Sequence, residues 1–192
     1  MQKKRIVVGV TGATGSVYAQ RFLQQLQLAE VVETHLVISA SAALTISAEL
    51  GGSTKDFEQY ADTVHSNKNI GASIASGSYK VDAMIILPCS MKTLASIATG
   101  VSDNLISRTA DVTLKERRRL ILMTRETPLS LIHLRNMLTV TEAGGIIFPP
   151  VPAFYASLAS IEEMVDQTVA RLLDLLGLEA PSIRRWQGIG SN

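Results

Sequence analysis

A continuous apolar run, Ile6 to Val10, opens the pattern of the chain and ends in glycines, the mark of a strand buried on both faces. Behind it Ala19, Phe22, Leu23 and Leu26 recur at helical spacing, and Val31 to Ile38 returns to a β-branched, strand-like composition. That is a βαβ unit, so the first two strands are expected to run parallel. Ala83 to Leu87, Leu120 to Met123 and Ile146 to Phe148 read as further buried strands, each separated from the next by a helix-length amphipathic stretch. The alternation predicts an α/β fold with a doubly wound, mostly parallel sheet and helices on both faces. A last helix is predicted over Ile161 to Leu176, with Ile161, Met164, Val165, Thr168, Leu172 and Leu175 on one stripe and Arg171 at its edge. The 192 residues suit a single domain, 1–192, with a C-terminal tail from about 178. The tail turns polar and basic yet carries the only tryptophan, in Arg184-Arg185-Trp186-Gln187-Gly188, which predicts that it docks.

Composition changes the picture in two ways. Apolar residues make up 46% of the chain and charged ones 18%, a surplus of apolar surface that predicts self-association. A formal charge of +1, with only short cationic runs such as Arg117 to Arg119, offers no broad face for nucleic acid. The Arg117 to Arg119 run reads most simply as a solvated helix end, favourable against the helix dipole. The N-terminal segment Met-Gln-Lys-Lys-Arg followed by a short apolar run is too short for a signal core or a membrane span, so a cytoplasmic protein is expected. Cys89 is the sole cysteine, which rules out an internal disulfide and a cysteine metal cluster. His35, His65 and His133 show no ligand spacing, and no metal site is expected.

Ligands of open α/β sheets gather outside the carboxyl ends of the strands. After the first strand, Gly9, Gly12 and Gly15 surround Thr11, Ala13 and Thr14, where backbone amides and a helix N-terminus can receive a phosphate; the same glycines also suit a tight turn built for packing. The spacing is not that of a dinucleotide fingerprint. Where an NAD-binding fold places a ribose-binding acid, the second strand ends in Val37-Ile38-Ser39-Ala40-Ser41, which favours a mononucleotide such as FMN. Pro88-Cys89-Ser90-Met91-Lys92-Thr93 reads either as a ligand turn or as a capped helix start with Ser90 as N-cap. Arg125 and Glu126 directly follow a buried strand, a costly position for charge unless it faces a polar cleft. The prolines of Phe148-Pro149-Pro150-Val151-Pro152-Ala153-Phe154-Tyr155 would hold Tyr155 on a stiff support, or simply turn the chain over a core tyrosine.

Taken together, Thr11-Gly-Ala-Thr-Gly15, Pro88-Cys-Ser-Met-Lys-Thr93, Ala110-Asp-Val-Thr-Leu-Lys115, Arg125-Glu-Thr-Pro-Leu129, Pro149-Pro-Val-Pro-Ala-Phe-Tyr155 and Arg185-Trp-Gln-Gly188 resemble the UbiX-type flavin prenyltransferases, including the subunits that accompany hydroxyarylic acid decarboxylases. The resemblance spans nearly the whole chain. It implies a Rossmann or flavodoxin-like flavoprotein fold, a dodecamer, and a cytoplasmic transferase that joins the dimethylallyl group of dimethylallyl phosphate to N5 and C6 of reduced FMN. The product, prenylated FMN, would serve a UbiD-type decarboxylase. It implies an FMN site at Gly12, Ala13, Thr14, Ser39, Ser90, Met91, Lys92, Thr93 and Arg125, and a dimethylallyl phosphate site at Lys115, Glu126, Tyr155 and Arg171, the same four being the expected catalytic residues.

No Asp-Asp-x-x-Asp cluster occurs, so metal-independent transfer is expected, with Lys115, Arg125 and Arg171 meeting the leaving phosphate. Glu126 is the candidate for proton movement, and Tyr155 and Trp186 for stabilising allylic cation character. Three rivals share parts of the pattern. An NAD-dependent epimerase-like enzyme would carry the strand-end acid and a Tyr-x-x-x-Lys pair, and the chain has neither. The others are a flavin-dependent decarboxylase of the same fold and a non-catalytic FMN carrier.

Overall fold

The computed structural model describes residues 3–180 and 183–189. The first two residues of the N-terminal segment, residues 181–182 of the tail and residues 190–192 lie outside them. The chain divides into two compact units, Met1–Pro149 and Pro150–Asn192.

The first unit begins with β1 (Lys4–Val10), α1 (Ser16–Leu28), β2 (Val32–Ile38), α2 (Ala40–Leu50), a single helical turn α3 (Lys55–Glu58) and β3 (Thr63–Ser66). It continues through β4 (Ala83–Cys89), α4 (Met91–Thr99), α5 (Leu105–Lys115), β5 (Arg119–Thr124), α6 (Leu131–Glu142) and β6 (Ile146–Ile147). One six-stranded sheet results, in the order β3-β2-β1-β4-β5-β6. Every neighbouring pair is parallel, as the βαβ pattern requires. Both faces are covered, which is why β1 and β4 read as unbroken apolar runs and not as alternation. On one face Val7, Val37, Met84, Ile86, Leu120 and Leu122 pack with Leu94, Ile97, Leu105, Ile106 and Ala110 of α4 and α5. On the other, α1 lies along β2 and β4 with Ala19, Phe22, Leu23 and Leu26 buried.

The strand order reverses between β1 and β4, and a ligand crevice forms at such a switch point, outside the carboxyl ends. Two of the helices that leave those ends start on serine caps. Ser39 caps α2 through its Oγ, which accepts from the Ala42 amide at 3.1 Å, and Ser90 caps α4 by accepting from Thr93 at 3.3 Å. Asn104 and Ser130 close reciprocal capping boxes on α5 and α6.

The second unit holds a 3₁₀ turn at Phe154–Ala156 and α7 (Ile161–Leu175), capped by Ser160. The predicted stripe of α7 is buried at Val165, Thr168 and Leu172, whereas Ile161, in the first turn, is 70% exposed. Here the tail docks, as its tryptophan suggested. Gln167 brackets Arg184 with both ends of its amide, its Nε2 donating to the carbonyl and its Oε1 accepting from the amide, each at 2.9 Å.

One expectation needs correction, and one contact was not foreseen. The arginine run is not a uniformly solvated helix end: Arg118 is partly buried and its guanidinium donates to the carbonyls of Gly77 and Tyr79 at 2.7 and 3.1 Å, while Arg119 opens β5. Two of the histidines do meet. His35 Nδ1 and His65 Nε2 lie 2.9 Å apart across β2 and β3, with rings stacked at 5.2 Å, and His35 Nε2 lies 3.1 Å from Glu33. Strand register brings them together, which spacing along the chain does not display. Among the described residues no three His, Cys, Asp or Glu side chains gather in a way that could hold a metal ion.

Candidate active site

At the switch point Thr11 locks the ends of β1 and β4 to each other. Its Oγ1 donates to the carbonyl of Pro88 and accepts from the amide of Ser90, both at 2.8 Å. Gly12 then lets α2 approach: a Cβ there would lie 3.2 and 3.3 Å from the carbonyl carbon and Cα of Ser41 and closer still to its Cβ. Gly15 turns the chain into α1 at φ 109°, a conformation that favours glycine.

The glycine loop does not present its helix N-terminus to a phosphate in the way its sequence suggested. Glu49, from the last turn of α2, accepts from the amides of Gly15 at 3.1 Å and Ser16 at 2.8 Å. Partial burial opposes the charge on Glu49, but the Thr14 hydroxyl and these amides outweigh it and hold the carboxyl below the usual glutamate range. The chain's own anion therefore occupies the positive end of α1. Nothing in the sequence marked Glu49, because its partners lie more than thirty positions away.

α4 offers the alternative. Its first turn carries no acid, the amides of Met91 and Lys92 have no intrahelical acceptor, and Ser90 Oγ and Thr93 Oγ1 lie 3.1 Å apart. A phosphate fits that donor set. Ser39, one strand away on the β2–α2 turn, spends one lone pair on the cap and keeps a hydroxyl proton to donate. Of the two readings of the Pro88–Thr93 turn, the capped helix start is observed, with Ser90 as N-cap.

At the end of β5, Thr124 is buried and its Oγ1 has no hydrogen-bond partner among the described residues, so a donor or acceptor from a ligand would be accommodated there. Arg125 and Glu126 follow, both exposed, and Glu126 Oε1 accepts from the Thr127 amide at 3.0 Å. The Tyr18 ring stands over Gly15; burial pushes its hydroxyl pKa up, and the Arg125 charge opposes that rise. Lys115 ends α5 and pairs with Glu116 at 2.5 Å. The first unit thus gathers Gly12, Ala13, Thr14, Ser39 and Ser90 to Thr93 around the ends of β1, β2 and β4, and Arg125 follows the end of β5. Cys89 takes no part as a nucleophile, since full burial raises its thiol pKa far above the usual value.

In the second unit the Tyr155 ring meets Trp186 edge to face at 5.9 Å, so Tyr155 is an exposed aromatic on a 3₁₀ turn and not a core residue. Arg171 pairs with Asp174, which also binds Arg185 at 2.5 Å. The hydrogen bond from Arg185 leads in holding the Asp174 carboxyl below its usual range. Asp174 was not anticipated from sequence; it lies on the face of α7 beside Arg171, three residues on, the spacing at which helix side chains meet.

A family profile described as Flavoprotein matches residues 1–173. A probable UbiX-like flavin prenyltransferase of Bacillus subtilis is 54% identical over 187 residues, covering 97% of this chain and 91% of that protein. The flavin prenyltransferase UbiX of Neisseria meningitidis is 49% identical, covering 97% and 98%. Among solved structures, a UbiX protein in complex with FMN and dimethylallyl pyrophosphate superposes with a TM-score of 0.93 at 53% identity, over 97% of this chain and 99% of that one. A dodecameric FMN-dependent UbiX-like decarboxylase from Escherichia coli O157:H7 gives 0.94 at 48% identity, over 96% and 100%. The chain belongs to the flavoprotein family and, within it, to the UbiX-like flavin prenyltransferases.

Proposed function

We propose that this protein transfers the dimethylallyl group of dimethylallyl phosphate to N5 and C6 of reduced FMN, and that the prenylated FMN so formed serves a UbiD-type decarboxylase. The observation that carries this is the match over 97% of the chain, at 53% identity, to a UbiX structure holding FMN and a dimethylallyl ester. When bound and reduced, FMN supplies the nucleophilic N5 and C6. The phosphate of FMN is assigned to the α4 N-terminus, with Ser90, Met91, Lys92 and Thr93 around it; the acid-free first turn supports this, as does the carboxylate that already fills the α1 position. Gly12, Ala13, Thr14, Ser39 and Arg125 would hold the rest of the flavin.

Lys115, Glu126, Tyr155 and Arg171 are assigned to the prenyl phosphate and its chemistry. Lys115, Arg125 and Arg171 would supply positive charge to the leaving phosphate in place of a metal ion. Glu126, exposed and spending one oxygen on the Thr127 amide, keeps a second oxygen for moving a proton. Tyr155, braced by Trp186, offers an aromatic face to allylic cation character.

The protein is assigned to a homo-oligomer, a dodecamer like its relative, and the exposed Leu131, Ile132, Leu134 and Leu138 of α6 support an assembled state. A cytoplasmic setting belongs to the same proposal. Among the described residues no helix is long and apolar enough to cross a membrane. Equilibrium dialysis against FMN and NAD tests the cofactor assignment: tight FMN binding without NAD binding is expected, and the reverse would refute it. Release of carbon dioxide from a peptide or aryl acid by the isolated protein, without any change in flavin mass, would favour a decarboxylase instead.

A further inference from the structure

The end of α5 is built unusually for a place that must present a lysine. Arg118 donates its amide to the Thr113 carbonyl at 2.9 Å and Arg117 its amide to Leu114 at 3.0 Å, the paired closure that normally has glycine at its left-handed position. Arginine takes that position here, with Arg117 at φ 56°. The reversal lets Glu116 reach Lys115, although side chains at adjacent helix positions do not face each other. Lys115 Nζ lies 2.5 Å from Glu116 Oε1, and Glu116 Oε2 lies 3.9 Å from the Arg118 guanidinium. Arg118 in turn holds the Gly77 and Tyr79 carbonyls, which fixes the 77–79 loop beneath the pair. Gly77 is the floor: a Cβ there would stand 2.8 Å from Lys115 Nζ and nearer still to Glu116 Oε1. Two cations and one carboxylate leave the cluster with a net positive charge.

We propose that Glu116, seated on Gly77 and braced by Arg118, is a positioning residue that aims the Lys115 ammonium at the prenyl phosphate. Lysine has a flexible four-carbon stem whose freedom is lost when it grips an anion, and a tether that removes part of that freedom beforehand strengthens binding. The carboxylate does not touch substrate; it acts through Lys115. This rests on the assignment of Lys115 to the dimethylallyl phosphate site made above.

Steady-state kinetics with reduced FMN and dimethylallyl phosphate test it on the full chain. Glu116→Gln should raise KM for dimethylallyl phosphate about two- to fivefold, the range an exposed ion pair can supply, with kcat and FMN affinity unchanged. Gly77→Ala should act in the same direction, because the atoms it displaces are the free ends of two flexible side chains, and Glu116→Asp should recover part of the loss. In a Lys115→Ala background, Glu116→Gln should add nothing. An equal rise in KM with and without Lys115 would overturn the proposal while leaving Lys115 in the site. So would an unchanged KM in Glu116→Gln when Lys115→Ala raises it. If Lys115→Ala alone altered neither constant, the assignment of Lys115 would fail and the proposal with it.

Discussion

The Ser16 amide donates to Glu49 Oε2 at 2.8 Å, so the first helix of the fold is capped by a carboxylate from the last turn of the second. The Glu49 pKa is held below the ordinary value of about 4.3, so its contribution to stability is fully present above that pH and is lost as the pH falls through the lower folded-state value. Glu49→Gln should lower the urea midpoint at neutral pH, and the gap from wild type should close as both are acidified below pH about 4. A gap of constant size across that range would mean that the charge on Glu49 does not hold the loop.

A second, higher window belongs to the histidine pair. Burial first, and the neighbouring His35 second, depress the pKa of His65. Stability from a depressed histidine is present above its unfolded value of about 6.5 and declines as pH falls below it. The groups facing the pair are Glu33 beside His35, Arg5 bound to Glu33, and Tyr79 in edge contact with His35. The midpoint of wild type should fall between pH 7 and about 5, and His65→Gln should flatten that fall. An identical decline in the variant would place the titrating group elsewhere.

Gly12→Ala should destabilise the protein by about 1–3 kcal/mol, the usual effect of overpacking, because the new methyl group meets the backbone of Ser41 at 3.2 and 3.3 Å. Thermal unfolding gives the answer. A melting temperature equal to that of wild type would show that the β1–α1 loop and α2 part easily.

Glu126→Gln keeps its shape and loses its ionisable group, and turnover should drop about 100- to 10,000-fold with FMN affinity nearly unchanged. Arg125→Ala should weaken FMN binding and turnover together. Flavin titration alongside single-turnover rates separates the two. A Glu126→Gln enzyme that worked at the wild-type rate, or that lost FMN as badly as Arg125→Ala, would end the proton-transfer role of Glu126.

The strands of this fold were legible because burial on both faces writes itself as unbroken apolar runs: Ile6 to Val10, Ala83 to Leu87 and Leu120 to Met123 all lie within observed strands. β3 was not, since Thr63–Ser66 is a four-residue edge strand, half exposed, with polar residues at three positions. Positions at a strand end or a capped helix start could be read locally, as those of Ser39, Ser90 and Arg125 were. Glu49, Arg118 and Asp174 could not, because each works through a partner supplied by a helix face or a distant loop. The glycine loop is a further case: its sequence displays donors without displaying the Glu49 carboxylate that binds the Gly15 and Ser16 amides.

The central claim is that this chain attaches a prenyl group to flavin with its own cations in place of a metal. Anaerobic incubation with reduced FMN, dimethylallyl phosphate and excess EDTA, followed by mass spectrometry of the released flavin, measures it directly. A flavin heavier by one isoprene unit should form, at the same rate as without EDTA. Unmodified FMN in the presence of EDTA, with the heavier flavin appearing once magnesium is restored, would contradict it.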